Sequence, residues 1–147
     1  MERVLDRARI GPNDVILEVG TGTGPLALGA LERIGPEGSV IALDVSVDFL
    51  EELWRAYPGP GLSLLVGDAE VVPLPDASVD VVLGRSALSS AHEKAETALE
   101  LHRVLRAGGR VSLFEPGDTE DVTAWFADAG FAAIDTEPGL FLAGTKT

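Results

Sequence analysis

The chain of 147 residues contains no cysteine, which excludes disulfides, thiolate catalysis and Cys-ligated metals. That suits a reducing compartment, and a cytoplasmic location is expected. With only two histidines besides, no metal-ligand set is expected either. Basic residues are scarce: 11 Lys and Arg stand against 24 Asp and Glu, a formal charge of −13. Nucleic acid and anionic membranes are recognised through clustered cations, so neither is expected as a partner. Arg103, Arg106 and Arg110 form the densest basic cluster, too sparse to track phosphates. No apolar run reaches the roughly 18–20 residues needed to span a bilayer. The start, Met1–Arg7, mixes charges and lacks a signal-peptide core. There is no internal repeat or linker, and one domain over residues 1–147 is expected.

What is present is an alternation of strand-length apolar runs with helical patterns. Strands are expected at Val15–Val19, Val40–Asp44, Leu62–Val66, Val79–Leu83 and Arg110–Glu115. Pro25–Ile34 reads as a helix with Pro25 in its first turn and Gly35 just past its end. Ser46 can cap a helix over Val47–Ala56. Ser90–Glu93 has capping-box spacing and opens a helix that Gly108-Gly109 ends. A further helix starts at Asp118 or Thr119 and runs through Ala129, with Gly130 as its terminator. Phe131–Thr136 and Leu140–Ala143 flank Glu137-Pro138-Gly139 as a closing hairpin. The pattern predicts an α/β fold: one three-layer, doubly wound domain with a mostly parallel seven-stranded sheet. The hairpin must add an antiparallel strand at one edge.

Glu18-Val19-Gly20-Thr21-Gly22-Thr23-Gly24 falls where the first strand turns into the first helix. Glycines at alternate positions permit a sharp turn and close approach of a ligand, at the end of the sheet where such folds bind ligands. The same loop can also be no more than a tight connection. A dinucleotide fingerprint would be G-x-G-x-x-G, but Pro25 occupies the third glycine's place, leaving G-x-G-x-G. No P-loop pattern is present. Asp44 ends the second strand, where a carboxylate can accept from both hydroxyls of a ribose. Asp68, at the end of the third, can meet an adenine edge together with Ala69 or cap the next turn.

Val15–Gly24 resembles motif I of the class I S-adenosylmethionine (SAM)-dependent methyltransferases. Ile41–Ser46, the stretch from Gly67-Asp68-Ala69-Glu70 to Leu74–Asp80, and Glu100–Arg110 resemble the segments that follow it in that family, in the same order. Ala107 stands where proline is usual. The resemblance is nearest to the small-molecule branch that includes quinone-biosynthesis methyltransferases. It implies SAM as cofactor and S-adenosyl-L-homocysteine as product. Gly20, Thr21, Gly22 and Gly24 would surround the methionine part, and Glu18 would orient it. Asp44 would hold the ribose, with Val45 beside the adenine. Asp68 would accept from the adenine amino group, Ala69 would line the ring, and Arg85 would lie near the sulfonium and the acceptor.

Methyl transfer from a sulfonium is an in-line displacement that needs alignment and exclusion of water more than a base. His92, Arg85 and Glu115 are the candidate catalytic residues. His102 falls on the apolar face of its helix and is expected to pack, while Glu115 is expected to shape the acceptor pocket or to be solvated. Only 14 residues precede Val15, fewer than the family's usual lid, so an open site is expected, completed by a homo-oligomer or a partner chain. Val4, Leu5, Leu88 and Phe114 are candidates for that contact or for the core. The leading expectation is methyl transfer to a small-molecule acceptor. Alternatives are a non-catalytic or partner-dependent SAM-binding module and, disfavoured by the glycine spacing, a nicotinamide-dependent oxidoreductase.

Overall fold

Strands covered on both faces must be apolar at every position, and Val15–Val19 and Val79–Leu83 are nearly so. In a computed structural model of the chain, describing residues 1–88, 94–116, 120–137 and 141–147, these runs form the middle of the sheet. The strands are β1 (Val15–Val19), β2 (Ser39–Asp44), β3 (Leu62–Val66), β4 (Val79–Arg85), β5 (Leu105–Phe114), β6 (Phe131–Glu137) and β7 (Phe141–Lys146). Their order is β3-β2-β1-β4-β5-β7-β6. The first five are parallel, β7 is antiparallel to both its neighbours, and β6 lies outermost. The closing hairpin thus forms one edge, with its second strand inserted between β5 and β6.

Because side chains alternate across a strand, the two faces collect different neighbours. Ile16, Ala42, Val81 and Leu83 pack with α1 (Glu2–Ala8), α2 (Pro25–Leu31) and α3 (Val47–Ala56). Leu17, Val19, Leu43 and Val82 pack with α4 (Lys94–Val104) and α5 (Glu120–Ala129). Val4 and Leu5 are buried in the first cluster and Leu88 in the second, while Phe114 packs partly buried against the first. These residues therefore belong to the core and not to an exposed association surface.

Several element ends differ from the sequence expectation. α2 stops at Leu31, three residues early, where Gly35 N donates to Pro12 O at 2.7 Å and draws the chain aside. α4 ends at Val104 because Ala77 N and Ser78 N take the carbonyls of Arg103 and Val104 at 2.9 and 2.8 Å. Leu105 already pairs with Val79, and the ladder resumes at Val81 and Arg110, so residues 106–109 bulge out. β7 runs on to Lys146, held by five pairs with β5. Gly130 does terminate α5, at φ +107°. His102 packs as expected, edge-on to Phe131 at 5.2 Å between ring centres. The Ser90–Glu93 capping box, Asp118 and Thr119, and the hairpin turn at Pro138-Gly139 lie outside the described residues.

Candidate functional site

The strand order reverses between β1 and β4, on either side of which the crossovers run in opposite directions. A crevice opens at the carboxyl ends of strands at such a point, and the glycine loop lies in it. Thr21 N donates to Leu43 O at 2.9 Å, and Gly22 N donates to Asp44 Oδ2 at 2.8 Å. The loop after β1 is therefore stitched to the end of β2. Gly20 and Gly22 have φ of +67° and +57°, and a Cβ on either would meet nothing within 4 Å. Their open faces look into a cavity of about 460 Å³ lined by Gly20, Gly22, Asp44, Val45, Phe49, Gly67, Asp68, Ala69, Arg85, Ser86 and Ala87. A second cavity of about 250 Å³, lined by Met1, Glu18, Gly20, Thr21, Gly22, Thr23, Pro25, Leu26 and Arg85, shares Gly20, Gly22 and Arg85 with the first. Together they make one elongated cleft.

Gly24, the third glycine of the loop, differs in its surroundings from Gly20 and Gly22. It lines neither half of the cleft, and a Cβ on it would lie 2.3 Å from Leu53 Cδ1 of α3. Its φ of +90° and its lack of a side chain let the loop close against α3.

The acids of the cleft have distinct surroundings. Asp44 accepts from Gly22 N with Oδ2 and from Ser46 N with Oδ1, at 2.8 and 2.9 Å. Each carboxylate oxygen has a second lone pair left for a hydroxyl. Asp68 Oδ1 accepts from Glu70 N at 3.0 Å, so it caps its own turn while lining the cleft with Ala69. Glu18 is 2% exposed. Burial pushes its carboxyl up to about 8, against the opposing hydrogen bonds from the Thr21 hydroxyl and Ala27 N, and with a small upward push from Asp44. Burial thus favours its protonated form. Thr21 is likewise buried, its hydroxyl donating to Glu18 Oε1.

On the β4 side, Arg85 lines both halves of the cleft. Its guanidinium lies 5.9 Å from the centre of the Phe114 ring, a distance at which the ring's quadrupole attracts a cation. Ser86 follows with φ +57° and donates its N–H to Phe114 O at 2.7 Å, which turns Ser86 and Ala87 toward the cleft. Glu115 does not line the cleft. It is buried and accepts from Leu88 N at 3.0 Å, so it is not a solvated end of β5 and fastens the segment after Arg85. His92 lies outside the described residues. Phe49, Gly67, Ser86 and Met1 are among the lining residues beyond the site residues expected from the sequence. Phe49 had a usable signal: it is a large apolar residue in the first turn of the helix that Asp44 and Ser46 introduce. Among the described residues no group of three or more His, Asp or Glu is placed to hold a metal. No described helix is long and apolar enough to cross a membrane.

A cleft floored by glycine backbone, with acids at the ends of β2 and β3 and apolar side chains at Val45, Phe49 and Ala69, suits an adenosine group. The adjoining half, with a buried acid and one arginine, suits a zwitterionic tail. Residues 17–113 match a family model described as a methyltransferase domain. The ubiquinone/menaquinone biosynthesis C-methyltransferase UbiE of Stenotrophomonas maltophilia is 34% identical over 124 residues, covering 81% of this chain and 48% of that protein. The malonyl-[acyl-carrier protein] O-methyltransferase of Methylococcus capsulatus is 35% identical over 124 residues, covering 82% and 45%. The chain thus spans less than half the length of each of these relatives. In solved structures, a SAM-dependent methyltransferase from Aquifex aeolicus superposes with a TM-score of 0.83 at 21% identity, covering 98% of this chain and 87% of that one. A Haloferax volcanii protein, described as a methyltransferase in complex with the Trm112 activator, reaches 0.89 at 20% identity, covering 98% and 86%.

Proposed function

This chain belongs to the class I SAM-dependent methyltransferases, and from that membership we propose that residues 1–147 form one domain that binds SAM in the cleft and passes its methyl group to a small-molecule acceptor. The observation that carries this reading is the meeting of Gly20, Gly22, Asp44, Asp68 and Arg85 around one cavity. Asp44 accepts from the ribose hydroxyls, while Val45, Phe49 and Ala69 flank the adenine and Asp68 accepts from its amino group. Glu18 and the loop amides orient the amino-acid end. Bound SAM supplies an electrophilic methyl on a sulfonium, so the protein's task is alignment.

Arg85 borders the place where an acceptor would approach and is the candidate to orient it. Glu115 serves as a positioning residue, holding Leu88 and with it the Ser86–Ala87 wall. His92 remains a candidate base only for an acceptor that must lose a proton in the reaction. The relatives named for quinone biosynthesis and for malonyl-carrier methylation support a small acceptor. The activator bound to the Haloferax neighbour supports a partner chain. The reaction is assigned to the cytoplasm.

Calorimetric titration with SAM, S-adenosyl-L-homocysteine and NAD tests the cofactor, and release of the demethylated product with a panel of quinol and carboxylate acceptors tests transfer. SAM binding without NAD binding is expected. Failure of a folded chain to bind SAM overturns the reading.

A further inference from the structure

The two edges of the sheet are treated differently. At the β6 edge, Ala133 has φ +51° within a bulge between Ala132 and Asp135. Asp135 and Glu137 there are gripped by Arg7 of α1 at 3.1 and 3.0 Å. Charges and bulges of this kind keep an edge from pairing with another chain. The β3 edge has neither. Leu62-Ser63-Leu64-Leu65-Val66 contains no charge and no proline, pairs with β2 along one side in unbroken register, and has no strand on the other.

Beside this bare edge lies an apolar groove of about 320 Å³ between β3 and α3, formed by Val47, Leu50, Trp54, Leu64 and Val66. Val47, Trp54 and Val66 are 51%, 47% and 55% exposed. The lip of the groove carries one charge of each sign: Glu51 and Arg55, one helical turn apart and 3.6 Å from each other.

We infer that β3 and this groove are the contact between two copies of the chain, related by a two-fold axis perpendicular to the sheet. β3 pairs antiparallel with its counterpart, joining the two seven-stranded sheets into one. The same axis lays the two α3 helices antiparallel on one face, with Trp54 of each copy close to the axis. A two-fold contact must be self-complementary, and the lip meets that condition. Glu51 faces Arg55 of the second copy, and Arg55 faces its Glu51. A foreign strand would have to supply that charge pattern; a second copy brings it. The contact is separate from the cleft, although Val45 and Phe49 stand between the two, so it does not depend on the methyl-transfer reading.

Sedimentation velocity from micromolar to sub-millimolar protein, without ligand, tests this. A reversible dimer is expected, and it tightens with added salt because each copy carries −13 and salt screens their repulsion. Val66→Lys and Trp54→Glu each raise the dissociation constant at least about tenfold, with unchanged far-UV circular dichroism. Glu51→Arg weakens the dimer by setting like charges face to face, and the exchange Glu51→Arg with Arg55→Glu restores it. A wild-type monomer throughout the range overturns the inference. So does a dimer that survives Val66→Lys, or a charge exchange that fails to restore association.

Discussion

Asp44 Oδ2 accepts a hydrogen bond from Gly22 N at 2.8 Å, so the acid proposed to hold the ribose also holds the glycine loop. Its other oxygen accepts from Ser46 N at the start of α3. One carboxylate therefore ties β1, β2 and α3 together at the mouth of the cleft.

That dual attachment separates two substitutions. Asp44→Ala leaves Gly22 N and Ser46 N without their partner and removes the acceptors for the ribose. SAM affinity should fall by about 1–3 kcal/mol, with a measurable drop in melting temperature. Asp44→Asn keeps one carbonyl acceptor and should recover part of the melting temperature while remaining weak toward SAM. Calorimetry and thermal melts on both variants check this.

Gly22→Val should abolish SAM binding while the fold persists. The space in front of Gly22 is empty of protein and its φ is +57°. The branched side chain projects into the cleft and strains the turn by about 1–2 kcal/mol. Unchanged far-UV circular dichroism with no binding heat is the expected result.

Gly24→Ala should act through stability instead. Its methyl group runs into Leu53 Cδ1, and overpacking of this kind costs about 1–3 kcal/mol. Leu53→Ala on its own opens a cavity in the core. The double variant should be less destabilised than the sum of the two, as shown by a denaturant-unfolding cycle.

Glu18 should make both stability and binding depend on pH. Burial lifts its carboxyl from 4.5 to about 8, so between those values the folded chain keeps a proton that the unfolded chain has released. Stability must then fall as pH rises through that window, and Glu18→Gln should flatten the decline. If the ammonium group of SAM is met by ionised Glu18, binding expels the proton. Calorimetry in buffers of different ionisation enthalpy should detect proton release with the wild type and none with Glu18→Gln.

The amino-acid sequence by itself determined the features that depend on local spacing. The apolar runs announced the parallel strands because burial on both faces leaves little room for polar positions. The G-x-G-x-G loop and Asp44 announced the cleft because strand ends and tight turns are written in neighbouring residues. Only the tertiary structure decided what each of those residues touches. Gly24 is written as the third glycine of the loop, and only the packing of α3 sets it against Leu53. Glu115 looked like a strand-end acid, but the turn after Arg85 brings Leu88 N over it. Phe49 became part of the cleft only when α3 folded back beside β2. The upward shift of the Glu18 carboxyl and the bare edge of β3 follow from burial and strand order, and both are sums over contacts distant in the chain that no local pattern encodes.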